Sequence, residues 1–393
     1  MISKASGPSR IRQINRSAVL AHIRNNGKNS RLQIGKALGL SAAAMTSVIN
    51  ELLEEGLLIT SEIESEQGNK TKGRPISNLE LNPNKACVLG INLRPIAGRC
   101  IIESAWADYT GKIHTIESSL EVETRHYQTI INGIQQTVNE LKKELKPSLK
   151  IYGLSIGIPG VVENQTIPFA PTLNCIKDPK FISTLASIFD FPISYENDVN
   201  LGAMAELQNQ ARLRKICFAY LHAYSGVGSS IVLEGKLFKG RRGWAGEIGV
   251  LKFLTTSEGQ TSFEFLLSMD SLLGDLLEDL GLQRNDYDAL VRFIDKNDKK
   301  VMPVINDYCN NLFNAMNVLH TVFDIDEVIL GLPSSLLLKR LLPKIRERVV
   351  NLQHRYVITS PSIEHHAILH GAALNALNVA LEKIEERKPK KKA

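Results

Sequence analysis

Five side chains on one short stretch have types and spacing that suit the reading of base edges: Ser41, Ala43, Thr46, Ser47 and Asn50. At helical spacing they share a slim face, with no bulky group to hold it away from a surface. Hydroxyls and an amide can pair with base donors and acceptors, and the methyls of Ala43 and Thr46 suit thymine. A second set, Lys70, Lys72 and Arg74, lies in the polar loop Gly68-Asn-Lys-Thr-Lys-Gly-Arg-Pro75. A Gly-Arg-Pro turn keeps the arginine extended, a form suited to a narrow minor groove. A third set, His366 and His370, has the i, i+4 spacing of a metal pair. No glutamate sits between them and no third ligand is nearby, so they read as packing and capping residues.

The elements that must position the first two sets follow from the pattern around them. Ser30–Gly39 reads as a short amphipathic helix, with Leu32, Ile34, Ala37 and Leu38 available for packing and Gly39 closing it. Ser41 is a natural N-cap for a second helix, in which Met45, Val48, Ile49 and Leu52 form one buried stripe. Two helices joined by a glycine turn make either an ordinary helical hairpin or a helix-turn-helix. Charge favours the second. Residues 1–50 hold eight basic side chains (Lys4, Arg10, Arg12, Arg16, Arg24, Lys28, Arg31, Lys36) and no acid, a footprint for phosphates. Leu57–Ser61 and Ser77–Leu81 read as strands flanking the Lys70–Arg74 loop, which makes the loop a wing. Before them, Ile11–Asn25 reads as a first helix, with Ile14, Ala18, Val19 and Ile23 apolar.

The remaining chain is a larger α/β body. At 393 residues, 43% hydrophobic and 22% charged with net charge +6, the composition is that of a soluble globular protein. No signal peptide or long apolar run appears, so the expected location is cytoplasmic, with no membrane insertion. Five scattered cysteines (Cys87, Cys100, Cys175, Cys217, Cys309) form no Cys-x-x-Cys, which fits a reducing compartment and carries no zinc signature. Asn82-Pro83-Asn84 marks a boundary, giving a DNA-binding unit over 1–82, a second domain over 83–386 and a basic tail over 387–393. In the second domain a hairpin meander, a helix and a strand recur twice, which predicts two α/β lobes with a cleft between them.

Six stretches of that domain carry a resemblance: Ile156-Gly-Ile-Pro-Gly-Val161, Ala170-Pro-Thr-Leu-Asn174, Glu196-Asn-Asp-Val-Asn200, Gly226-Val-Gly228, Gly235-Lys-Leu-Phe-Lys-Gly240 and Ala245-Gly-Glu-Ile-Gly249. Each is weak alone. In this order and spacing they resemble the ROK family of repressors and sugar kinases, over nearly the whole chain. The resemblance implies a two-lobed actin-like ATPase fold behind an N-terminal winged helix-turn-helix whose wing ends in Gly-Arg-Pro. It also implies a sugar site: Asn197 and Asp198 as the hydroxyl-binding pair, then Glu247 and Glu264, with Thr172 where the family's Ala-Pro-Asn turn has asparagine. Carboxylates and an amide converging in a cleft make a polyol binder, because each oxygen can accept a hydroxyl proton. The opposite reading keeps these residues as remnants that cap and brace loops.

Departures from the family pattern bear on activity. A kinase of this fold needs a glycine-rich Asp-x-Gly-Gly-Thr hairpin with free amides for phosphate. Here the matching residues are Asn92-Leu-Arg-Pro-Ile96, and proline removes a donor. Tyr224 stands where the family has glycine in the second phosphate loop, and Gly331-Leu-Pro333 replaces a run of glycines near the adenosine site. The family's histidine after Glu-Ile-Gly is Val250, and Leu251–Thr261 contains neither Cys nor His, so the family's zinc loop is absent. The expectation is a non-enzymatic regulator without ATP or metal, a repressor of carbohydrate genes. It would bind an inverted-repeat operator as a homodimer or tetramer and answer to a sugar or sugar derivative. Two rivals stay open: a sugar kinase, and a regulator with a non-functional pocket that a protein partner controls.

Overall fold

The computed structural model describes residues 8–62, 77–96, 98–147, 149–255, 259–350, 356–363 and 366–385. The N-terminal unit is a winged helix-turn-helix of α1 (Pro8–Asn26), β1 (Asn29–Ser30), α2 (Arg31–Leu38), α3 (Ala42–Glu54), β2 (Leu58–Glu62) and β3 (Ser77–Leu81). Ser30 opens α2 with a capping box through Gln33, and Gly39 closes it in the left-handed conformation at φ 64°. Ser41 then caps α3. The strands form a small sheet in the order β1-β3-β2. The predicted wing tip, with Lys70, Lys72 and Arg74, lies outside the described residues, as does the tail 387–393.

Two sequence expectations change here. Leu32 is 83% exposed and Ile14 also faces solvent, so the core stripe of this unit is Val19, Leu20, Ile23, Ile34, Met45, Val48, Ile49 and Leu52. The basic face is also smaller than the count of positive residues implies. Arg12 pairs with Glu51 at 2.7 Å, the buried Arg16 pairs with Glu51 and Glu55, and Lys28 reaches Glu80 at 3.0 Å. The acids that neutralise them lie beyond residue 50, Glu51 and Glu55 at the C-terminal end of α3 and Glu80 on β3. Arg31 and Lys36 remain on the exposed surface of α2.

The first lobe begins with an antiparallel meander, β4 (Cys87–Ile96), β5 (Arg99–Asp108) and β6 (Ile113–Glu123), followed by α4 (Tyr127–Glu144) and β7 (Ile151–Ile158). A small hairpin, β8 (Val161–Glu163) and β9 (Thr166–Phe169), leads to α5 (Pro179–Ile188) and β10 (Ile193–Asn197). The sheet order is β10-β7-β4-β5-β6, with β7 parallel to both β4 and β10. After α6 (Asp198–Asn209) the plan repeats. Here β11 (Phe218–Ala223), β12 (Val227–Leu233) and β13 (Lys236–Phe238) are the meander. A hairpin of β14 (Lys252–Thr255) and β15 (Gly259–Ser262) precedes helices α7 (Phe263–Leu267), α8 (Met269–Asp279), α9 (Tyr287–Asp295) and α10 (Val301–Phe323). Then β16 (Glu327–Gly331), α11 (Ser335–Val350) and β17 (Val357–Thr359) complete a sheet ordered β13-β12-β11-β16-β17. Two sheets with the same strand plan define the actin-like body.

The last helix, α12 (Ala367–Glu385), returns to the first lobe and packs against α6, β4 and β7. Its Ala373, Ala376, Leu377, Ala380 and Leu381 join Val88, Ala107 and Tyr109 in one apolar cluster, and that cluster is continuous with the core of the winged unit. Arg24 of α1 also sits 5.8 Å from the Tyr109 ring centroid. At the junction, Asn82 donates from its side chain to the Gly56 carbonyl at 2.9 Å. The N-terminal unit is therefore seated on the first lobe by shared burial, which transmits rigid-body motion better than a flexible tether would.

Candidate functional site

Helix α3 sorts its residues as its period requires. Met45, Val48, Ile49 and Leu52 are buried, while Ser41, Ala43, Thr46, Ser47 and Asn50 are all exposed on the other side. Two of the hydroxyls are already engaged. Ser41 accepts from the Ala44 amide at 3.3 Å, and Thr46 donates to the Ala42 carbonyl at 2.9 Å. Thr46 thus turns its hydroxyl to the helix, which leaves its methyl as the outward group. Ser47 and Asn50 are exposed on the same face.

In the larger body, one cavity of about 190 Å³ lies between the lobes and is lined by Thr172, Asn197, Asp198, Glu247 and Glu264, among others. Residues separated by up to 92 positions in sequence meet there because β10, the start of α6, the loop before Leu251 and α7 all end at the cleft. Asn197 caps α6: its oxygen accepts from the Asn200 amide at 2.9 Å. Its amide nitrogen donates to the Gly160 carbonyl at 3.0 Å and reaches Glu247 at 3.5 Å. This side chain has a bracing role as well as a place in the cavity wall. Asp198 occupies the first turn of α6 and accepts from the Val199 amide at 2.8 Å. Glu264 accepts from the Val227 amide at 3.0 Å, and Gly249 lets that carboxylate in. A Cβ at Gly249 would lie 2.5 Å from Glu264 Oε2 and 2.3 Å from the Val227 carbonyl oxygen.

The carboxyls share a poorly solvated space. Burial pushes the Asp198 carboxyl up to about 7. Burial, then the charges of Asp198 and Glu264, push Glu247 up to about 7. Burial also raises Glu264, opposed by its bond from Val227. Raised in this way, Asp198 and Glu247 take up protons more readily than ordinary carboxylates, and in the ionised form they accept hydroxyl hydrogens strongly.

One contributor was given no role from sequence. Glu196 pairs with Lys239 and accepts from the Asn197 and Asn200 nitrogens at 3.1 and 2.9 Å, so it fixes the Asn197–Asp198 corner to the Lys239–Glu247 loop. A charged residue at the end of an apolar strand was the available signal. Asn92 is buried on the cavity wall, and its Oδ1 accepts no hydrogen bond among the described residues. Val250, at the position of the family histidine, also lines the cavity.

The neighbouring half of the cleft is built differently. Strand pairing continues through Arg94↔Ile101, Pro95↔Cys100 and Ile96↔Arg99, so regular ladder occupies the position of a phosphate-wrapping loop. Arg94 donates to Glu103 at 3.0 Å and lies 5.8 Å from the Tyr224 ring centroid. The Ser225 hydroxyl donates to the Pro95 carbonyl at 3.1 Å, tying the two lobes together at this point. Burial, with Arg94 nearby, lowers His222 to about 4. Beyond lies a second cavity of about 410 Å³, lined by Tyr220, Asn285, Tyr287, Asp288, Pro333 and His366 among others. Groups of three or more His, Cys, Asp or Glu able to hold a metal do not occur among the described residues. No helix among them is long and apolar enough to cross a membrane.

A winged helix-turn-helix fused to a two-lobed, kinase-like body defines a DNA-binding regulator with a small-molecule cleft. The chain belongs to the ROK family, matching it over residues 97–379. It is 25% identical over 346 residues to the xylose repressor of Staphylococcus xylosus, covering 85% of this chain and 86% of that protein. It is also 25% identical over 245 residues to the DNA-binding transcriptional dual regulator NagC of Escherichia coli K12, covering 61% of this chain and 57% of that one. Among solved structures, a ROK family transcriptional regulator described as a homologue of the E. coli MLC protein superposes with a TM-score of 0.69. That match has 20% identity and covers 95% of this chain and 98% of the other.

Proposed function

We propose that the protein is a sugar-responsive transcriptional repressor that has no phosphotransferase activity. It binds an inverted-repeat operator as a dimer, with α3 in the major groove and the wing, where Lys70, Lys72 and Arg74 fall, against the backbone and minor groove. The observation that carries the sugar reading is the convergence of Asn197, Asp198, Glu247 and Glu264 on one cavity, beside a phosphate position occupied by Arg94, Pro95 and Tyr224. Sugar hydroxyls donate to the carboxylates, and Thr172 and Asn92 supply further polar contacts at the wall. Among the described residues no group of His, Cys, Asp and Glu suits a metal, and the paired Asn92–Ile96 strand offers ATP no free-amide loop, so the proposed mechanism draws on neither.

Ligand binding can alter DNA affinity only through a difference between two arrangements. Asn197 and Asp198 start the helix linking the lobes, while Glu247 and Glu264 belong to the second lobe, so a ligand touching both favours the closed cleft. The winged unit rides on the first lobe and α12 through their shared core, and closure re-aims the two units of a dimer relative to operator half-sites. Because relatives are named for xylose and N-acetylglucosamine, these sugars are the first probes. Operator affinity is measured by fluorescence anisotropy against each sugar, with a phosphoryl-transfer assay alongside. A dose-dependent change in DNA affinity with no product formed is the expected result. Sugar phosphorylated at the expense of ATP would return the chain to the kinases, and indifference to every sugar would favour control by a protein partner.

A further inference from the structure

One wall residue of the polar cavity belongs to an aromatic pair. Phe169, at the end of β9, lines the cavity, and the Trp244 indole packs on it with ring centroids 5.1 Å apart at 39°. Trp244 remains 43% exposed. It precedes Glu247 by three residues, and its carbonyl accepts the Glu247 amide at 3.3 Å. The next residue, Ala245, donates to the Lys239 carbonyl at 3.3 Å, and Lys239 is ion-paired with Glu196, the residue that also holds Asn197. The indole therefore sits on the same frame as the acid cluster. Beyond it lies a shallow depression lined by Gly240, Arg241, Arg242, Trp244 and Ala245, with both arginines exposed. The arginines also border Glu163 and Asn164 of the first lobe.

This sequence of surfaces matches one kind of ligand. A carboxylate-lined cavity takes the hydroxyls of one sugar ring. An open aromatic face takes the C–H face of another, since a ring stacked there removes apolar area from water on both sides. Guanidinium and amide groups at the edge supply donors and acceptors for the second ring's hydroxyls. Simple packing of Trp244 onto Phe169 would account for one contact, but it leaves nearly half of the largest side-chain type on the surface beside a binding cavity. A tryptophan there is rarely idle, because aromatic anchors carry much of the energy where they meet a ligand.

We propose that the effector site has two subsites. One sugar unit sits in the Asp198–Glu247–Glu264 cavity and a second sits on the Phe169–Trp244 shelf, so the preferred ligand is a disaccharide or longer glycoside. The proposal rests on the reading of the cavity as the sugar site.

The test is calorimetry on the full chain with monosaccharides and their own disaccharides: xylose with xylobiose, glucose with cellobiose and maltose, and N-acetylglucosamine with its β-1,4-linked dimer. At least one disaccharide binds on the order of tenfold tighter than its monosaccharide, the margin of one well-placed aromatic contact. Trp244→Ala removes that margin while the monosaccharide affinity stays within about twofold, and Trp244→Phe restores most of it. The chain has two tryptophans. In a Trp106→Phe background Trp244 is the sole reporter, and the disaccharide shifts its emission whereas the monosaccharide does not. Monosaccharides that bind as tightly as every disaccharide overturn the shelf and leave the sugar cavity standing. Equal weakening of both by Trp244→Ala overturns it too, by making Trp244 a structural prop. Failure of every sugar to bind overturns the shelf together with the sugar reading.

Discussion

The two halves of the interlobe cleft are neighbours on one fold and have diverged in opposite ways. The half around Asp198 keeps its polar groups, three of them carboxyls held in a space that raises them. The half around Arg94 has a strand ladder, an Arg94–Glu103 ion pair and the Tyr224 ring where phosphate would need open amides. Fold alone cannot distinguish a kinase from a sensor, because both halves hang on the same pair of sheets; the side chains at the strand ends decide it. Retaining buried carboxyls is costly unless something binds them. Occupying the phosphate position costs nothing to a protein that only has to recognise its ligand.

Four measurements break or sharpen this contrast. The largest effect is expected from Gly249→Ala, whose new methyl would collide with Glu264 Oε2 and the Val227 carbonyl. Overpacking of this kind destabilises by on the order of 3 kcal/mol, and thermal unfolding should show it together with loss of the effector response. A variant as stable and responsive as the parent would mean that Glu264 is free to swing away.

Asp198→Asn comes next. Losing one charged hydrogen bond costs about 1.5–3 kcal/mol, a shift of tenfold or more in the effector concentration that changes operator affinity, while affinity without effector stays near the parent's. An unshifted response curve would remove the cleft as the sensor. Proton linkage gives a smaller effect. Asp198 and Glu247 titrate near 7, above the ordinary carboxylate range, so the folded chain holds more protons than the unfolded one between those limits. Their contribution to stability is full in acid and is lost as pH rises through about 7. Because the ionised carboxylates are the better acceptors, sugar affinity should rise between about pH 6 and pH 8, with protons released on binding. Calorimetry in buffers of different ionisation enthalpy reads both, and a flat profile would argue that neither carboxylate touches the ligand.

The smallest effect belongs to the other half. Asn285→Ala, on the wall of the second cavity, should move the effector response by less than about twofold. A response as sensitive there as at Asp198 would show that the second cavity also takes part in sensing.

Much was legible from residue order alone, and for identifiable reasons. The burial of Met45, Val48, Ile49 and Leu52 opposite Ser47 and Asn50 is a local periodicity, so α3 and its open face could be read directly. The twofold repeat of meander, helix and strand is likewise written in successive segments. Residue types set the chemistry available to Asn197, Asp198, Glu247 and Glu264, and the proline in Asn92–Ile96 already argued against a phosphate loop. Tertiary structure decided whatever depends on partners far away in sequence. Arg12 and Arg16 look like phosphate contacts until Glu51 and Glu55 are seen beside them. Leu32 looks like core until the helix is oriented and leaves it in solvent. The junction at Asn82 reads as a boundary, yet α12, nearly three hundred residues on, fuses the two units into one apolar cluster. Trp244 carries no meaning in a string of letters, and only packing sets it against Phe169, which lines the acid cavity. Periodicity and side-chain chemistry are local properties that a sequence states outright, whereas burial, ion pairing and adjacency are properties of pairs and exist only once the chain has folded.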